Sequence, residues 1–159
     1  MRTRALLLCA TGTVLAACSD RPPETMAGVP ASECSRAEPP PRETWRTDFR
    51  LPGYPFKIEA GDRVGLMAAD GTLIAAPVYD HVLEQREMSL AIVRCGEHAG
   101  VIDLSGREVV PAVFDIIRSS EDELIEVTYY GREGFSRVRW TGTLNTEGCI
   151  VKPLARDPS

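Results

Sequence analysis

Five cysteines and two histidines are the side chains of this chain best equipped for chemistry. A thiolate is a nucleophile, a redox centre and a soft metal ligand, and an imidazole is a base or a ligand. Spacing decides among these roles. Cys9, Cys18, Cys34, Cys95 and Cys149 form no Cys-x-x-Cys pair, so neither a zinc ribbon nor a thioredoxin-like redox motif is supported. His81 and His98 stand in no compact metal-binding spacing. Their acidic neighbours Asp80 and Glu97 read as turn-capping carboxylates, and His98 reads as a solvated residue at a strand start. No nucleophile elbow surrounds Ser89 or Ser105, and no glycine motif cradles a phosphate. The reading is therefore of a protein that is not an enzyme, with no catalytic residue, no metal ligand and no cofactor.

Cys18 is placed for a different reaction. Arg2 and Arg4 precede an uncharged run from Ala5 to Ala17. Thirteen helical residues rise only about 20 Å, short of the ~30 Å core of a bilayer, so the run reads as a secretory signal and not as a permanent span. Its end, Leu15-Ala16-Ala17-Cys18, resembles the lipobox of bacterial lipoproteins. That resemblance implies a diacylglyceryl group on the Cys18 thiol, cleavage before Cys18, and acylation of the new amino group by a fatty acid such as palmitate. Ser19, where Asp would mark inner-membrane retention, favours the outer membrane, while Asp20 leaves the leaflet open. The expected location is the cell envelope, lipid-anchored and facing the periplasm.

The chain then divides as signal peptide 1–17, lipid-anchored linker 18–44 and β domain 45–159. Six of the twelve prolines fall in the linker, which lacks apolar periodicity and reads as a spacer. The net charge of −5 becomes more negative once Arg2 and Arg4 leave with the signal. Such a surface repels phosphate backbones and anionic headgroups, so nucleic acid is not an expected partner. In an oxidising compartment Cys34, Cys95 and Cys149 are disulfide candidates, with one thiol left over. Cys95 and Cys149 are expected at opposite ends of their strands, so Cys34 is expected to pair with one of them.

What positions these residues is visible in a near-duplication. Residues 56–82 and 91–117 align at an offset of 35: Gly61, Gly65 and Gly71 fall on Gly96, Gly100 and Gly106, and Asp80 falls on Asp115. Gly142, Gly148 and Pro153 repeat the spacing of Gly100, Gly106 and Pro111, with Gly131 aligned to Gly96 and seven extra residues over about 135–141. Asp70-Gly71, Ser105-Gly106 and Glu147-Gly148 read as two-residue hairpin turns, and Pro77, Pro111 and Pro153 as strand ends. Tyr79-Asp80 and Phe114-Asp115 each offer an aromatic anchor and a carboxylate able to cap the next turn. The fold class is all-β: consecutive antiparallel hairpins forming a small curved repeat sheet or a partly closed barrel, a propeller-like wrap being the alternative.

The pattern Gly-x-x-Asp-x-x-Gly-x-x-Val-x-Pro-x-x-Tyr-Asp, clearest from Gly100 to Asp115, resembles the WG repeat family of bacterial proteins. Val64, Ala99 and Thr141 stand where that family carries its aromatic residue. The resemblance implies β-rich units in arrays that bind or scaffold, without common catalytic residues.

One segment departs from the pattern. Residues 128–140, TYYGREGFSRVRW, gather aromatics and arginines in an acidic chain. Alternation puts Val138 and Trp140 on one face of a strand, and Phe135, Arg137 and Arg139 on the other. Ordinary packing explains one face. Phe135, Arg137, Arg139 and Trp140 together are also the candidate binding residues, since aromatics and Arg dominate interface energetics. The expected function is a lipid-anchored binding or scaffolding module for an envelope protein or peptidoglycan. The rivals are a small periplasmic hydrolase with a dispersed site and a structural spacer. Replacing Cys18 by Ser is expected to abolish lipid labelling and leave the precursor uncut, as read by fatty-acid labelling and mass; normal processing would refute the anchor.

Overall fold

The computed structural model describes residues 32–34, 37–47, 54–85, 88–120, 123–133 and 135–157. Cys18, the signal segment and most of the linker lie outside them. Among the described residues, twelve strands form three antiparallel four-stranded sheets. The first holds β1 (Arg46–Thr47), β2 (Phe56–Ala60), β3 (Arg63–Met67) and β4 (Leu73–Tyr79). The second holds β5 (His81–Gln85), β6 (Leu90–Cys95), β7 (His98–Asp103) and β8 (Glu108–Phe114), and the third β9 (Ile116–Ser119), β10 (Leu124–Glu133), β11 (Ser136–Asn145) and β12 (Ile150–Arg156). Each sheet pairs its strands in chain order. The expected hairpins are present, but they form three separate sheets and not one curved sheet or a closing barrel.

Two kinds of turn build them. Gly61-Asp62 and Gly96-Glu97 are two-residue loops whose glycines take φ of +66° and +61°, matching the twist of the strands they join. Gly71, Gly106 and Gly148, at φ of +90°, +88° and +84°, belong instead to three-residue loops. Asp103 N–H donates to the Arg107 carbonyl (2.9 Å) and Gly106 N–H to that of Asp103 (3.0 Å), and the loops at Ala68 and Asn145 close alike. The sequence reading counted two residues in each. In two of them the residue opening the loop folds back on it: Asp103 Oδ1 accepts from Ser105 N (2.9 Å) and Arg107 N (3.0 Å), and Asn145 Oδ1 from Glu147 N (3.1 Å) and Cys149 N (2.8 Å), whereas Ala68 opens the first loop and Asp70 within it accepts from Thr72 N (2.8 Å). This preorganises a type I turn followed by a left-handed glycine.

The middle glycines have a different cause. The register slips between Val64 and Leu66, between Ala99 and Val101, and between Thr141 and Thr143, where the neighbouring strand carries extra residues. At each slip the bulged backbone crosses over a glycine. A Cβ on Gly65 would lie 2.7 Å from Pro77 N, and one on Gly100 2.6 Å from Ala112 N. Pro77, Pro111 and Pro153 occupy these bulges inside β4, β8 and β12. They do not end the strands as expected, because a bulge leaves an amide unpaired and tolerates a residue without N–H.

The sheets are joined at Asp80 and Asp115. Each donates its N–H to a carbonyl of the following sheet, Arg94 (2.9 Å) and Thr128 (3.0 Å). Each carboxylate also accepts a backbone N–H further along that strand, from Gly96 and from Tyr130. Two cores result. Leu66, Ile74, Val82 and Val93 lie between the first two sheets, and Val110, Phe114, Ile125 and Leu144 between the last two. The middle sheet is buried on both faces, so β7 shows no alternation: Ala99 to Ile102 are all buried. Such two-sided burial requires a continuous apolar run.

Cys34 joins the first core and is bonded to Cys95, with Cα atoms 5.8 Å apart and a sequence separation of 61. A closed loop of that length stabilises a fold by about 4 kcal/mol in the chain-entropy account. Cys149 is not free either, so it is not the expected leftover thiol.

The turn glycines also set the spacing of the sheets. A Cβ on Gly106 would collide with the Ile74 carbonyl oxygen, and one on Gly148 would lie 2.5 Å from that of Val109, whereas Gly71 has open space. Gly71→Ala is expected to cost only the left-handed strain, about 1–2 kcal/mol. Gly106→Ala, at nearly the same φ, is expected to cost about 1–3 kcal/mol more through overpacking. Equal losses in denaturant melts would show that Ile74 does not confine the turn.

Candidate binding surface

The second and third sheets can be matched pair by pair. Leu90 pairs with Asp103 and Leu124 with Asn145; Cys95 pairs with His98 and, correspondingly, Tyr129 with Trp140. At Cys95 the β6–β7 hairpin turns. The β10–β11 hairpin runs on through Tyr130–Arg139, Gly131–Val138, Arg132–Arg137 and Glu133–Ser136. These pairs make a two-stranded tongue beyond the last shared pair. The insertion thus spans both strands and not residues 135–141 alone. Tyr130 takes the place of Gly96, since its N–H donates to Asp115 Oδ2 (2.7 Å) as that of Gly96 does to Asp80. Gly131, expected to match Gly96, lies mid-strand.

Alternation along the tongue separates two faces. Val138 is buried and Trp140 half-buried on the face continuous with the core. A Cβ on Gly131 would meet Tyr129 Cε1 at 3.2 Å and Trp140 Nε1 at 3.6 Å, so this glycine admits the indole. The opposite face carries Tyr130, Arg132, Arg137 and Arg139, the arginines exposed. Phe135 at the tip is fully exposed, at 111%.

Arg132 and Arg137 are cross-strand partners, an arrangement that like charges disfavour. Two contacts hold the guanidiniums in place. Arg137 Cζ sits 4.4 Å from the centroid of the Tyr130 ring, a cation–π contact. Arg139 Nη1 lies 3.4 Å from Asp157 Oδ2, with both side chains partly exposed. Sequence reasoning missed Tyr130 as the platform and Asp157 as the pin. The first was legible only once the register was known, and the second lies beyond the strand.

The remaining candidates are scattered. His81 is exposed at the start of β5. His98 is half-buried, with Nδ1 sealed from solvent and without a hydrogen-bond partner, unlike the solvated site expected. An open groove of about 490 Å³ beside the disulfide is lined by Glu33, Glu38, Arg63 and Asp80 among others, and neither histidine lines it. Two of its charges are paired, Arg63 Nη1 donating to Asp80 Oδ1 at 2.8 Å. Desolvation where the first two sheets meet raises the Glu108 carboxyl, against the hydrogen bond it accepts from Ala112 N–H (3.2 Å). Burial, and then the charge of Glu108, raise the Tyr79 phenol. Neither residue lines the groove. No group of three His, Cys, Asp or Glu side chains among the described residues is placed to hold a metal ion. Of the charge run 121–123 only Glu123 is described, and it is exposed.

Comparison with protein-family models, with curated proteins and with solved structures finds no match.

The two faces predict opposite outcomes. Trp140→Ala is expected to destabilise by about 2 kcal/mol, below the roughly 3–5 kcal/mol of a fully buried tryptophan. Arg137→Glu is expected to stay within about 0.5 kcal/mol. Thermal melts that reverse this order would refute the assignment of faces.

Proposed function

We propose that this chain is a lipid-anchored cell-envelope protein of the WG repeat type, whose β domain is a binding module and whose tongue engages an acidic envelope protein. The observation that carries the reading is the tongue itself. It presents three exposed arginines and a fully exposed phenylalanine on a chain of net charge −5. Their clustering works against local stability, as cross-strand repulsion of Arg132 and Arg137 would, and a ligand carboxylate would relieve it through charge-assisted, bidentate hydrogen bonds. Phe135 would supply the apolar anchor that such polar contacts lack.

The anchor rests on Leu15-Ala16-Ala17-Cys18, and the repeat assignment on glycines recurring at matched register positions in the three sheets. Ser19 favours the outer membrane. A linker of the length of residues 18–44 would hold the tongue away from the lipid surface.

The test replaces Arg137 and Arg139 together by Glu in the full chain and maps partners by in-cell crosslinking. Loss of the principal protein crosslink, with the melting temperature retained, is expected. Unchanged crosslinks would mean that the arginines only solvate a strand. Transfer of the crosslink to peptidoglycan fragments would identify the wall polymer as the ligand and overturn the protein partner.

A further inference from the structure

The contact that stacks one sheet on the next is used twice inside the chain and, among the described residues, stands open at both ends. In the second sheet the turn carrying Gly106 presses on the backbone of Ile74 in β4, and in the third the turn carrying Gly148 presses on Val109 in β8. Ile74 and Val109 are matched by register: each immediately precedes the residue, Ala75 or Val110, that pairs across the bulge with Leu66 or Val101. Val151 holds that place in β12, immediately before Lys152, which pairs with Thr143. Ile74 is 8% exposed and Val109 is half-buried, but Val151 is 58% exposed and its neighbour Ile150 37%. Among the described residues no turn covers them.

The complementary end is equally open. The loop of Ala69, Asp70, Gly71 and Thr72 in the first sheet is exposed throughout. It closes with the same hydrogen bonds as the loop at Gly106, and its glycine has the same left-handed φ, +90° against +88°. Nothing lies within 4 Å of where a Gly71 Cβ would stand, although the absence of that Cβ is what lets Gly106 and Gly148 pack. The charges also match. The turn brings the exposed carboxylate of Asp70, and the β12 edge brings the exposed ammonium of Lys152.

We infer that two copies of this chain associate head to tail, the Asp70-Gly71 turn of one docking on the Ile150-Val151-Lys152 edge of the other. The contact continues the stacking already made within each copy, so its geometry needs no new backbone conformation. Because the two surfaces differ, the association is heterologous and extends into a ring or a filament. One turn on one edge is a small interface, which fits weak and concentration-dependent assembly. The tongue takes no part in it.

The test uses the full-length chain in detergent, with a photo-crosslinking residue at position 151 and an equimolar mixture of isotopically light and heavy copies. Light–heavy crosslinks joining position 151 to the peptide that contains 69–72 are expected, and the reciprocal probe at position 69 should reach residues 150–152. Val151→Glu, at an exposed site, should lower the yield of crosslinked species about tenfold, equivalent to about 1.4 kcal/mol of association, without altering the melting temperature. Arg137→Glu should leave the yield unchanged. Crosslinks confined to one copy, crosslinks to any other surface or protein, or a Val151→Glu yield equal to that of the unaltered chain would overturn the proposal.

Discussion

The stack of sheets depends on one steric condition: a turn without a side chain must reach the backbone of the sheet before it. Gly106 and Gly148 meet Ile74 and Val109 at distances that leave no space for a Cβ. Sheets packed face to face ordinarily sit about 10 Å apart, with side chains between them. Here the sheets are also pinned at the turn by backbone against backbone, and the side chains between them must fill a fixed gap. Leu66, Ile74 and Val82 do so in one core, and Phe114, Ile125 and Leu144 in the other.

The second condition concerns direction. Each sheet would continue as a flat meander unless its last strand were turned aside. The two-residue slip in β4 and β8, folded over Gly65 and Gly100, bends those strands, as bulges do. Asp80 and Asp115 then take hold of the next sheet through one donated and one accepted backbone hydrogen bond. The disulfide adds a covalent tie at the same corner. Cys95 closes β6 immediately before Gly96, whose amide Asp80 binds, and Cys34 brings the N-terminal segment onto that turn.

This arrangement explains how the tongue can exist without disturbing either core. The Asp115 carboxylate binds Tyr130, one residue beyond the last pair that the β6–β7 and β10–β11 hairpins share. Everything beyond it projects from the stack, so residues there are free of packing demands except at Gly131, which lies against Trp140, and at buried Val138. Chain added at that point changes neither sheet spacing nor junction. The surface it carries, with Arg137 laid on Tyr130 and Arg139 held by Asp157, is arranged within the chain itself, which would lower the entropic cost of the binding proposed for it.

The sequence by itself determined the local features. Glycines at matched spacing marked the turns, because positive φ excludes most side chains wherever it occurs. The alternation of Val138 and Trp140 against Arg137 and Arg139 was legible because a strand has a period of two. Asp80 and Asp115 were legible as carboxylates able to bind amides, but their partners, Gly96 and Tyr130, stand 16 and 15 positions further on and were not. The tertiary structure alone decided what depends on distant partners. That Pro77 and Pro111 lie within strands follows from bulges seen only against β3 and β7. That Gly131 is a packing glycine and not a turn glycine follows from the position of Trp140 across the ladder. The separation into three sheets follows from contacts between residues more than thirty positions apart, such as Gly106 and Ile74. A one-dimensional pattern encodes which φ a residue tolerates and which face it prefers, but not which backbone will lie against it.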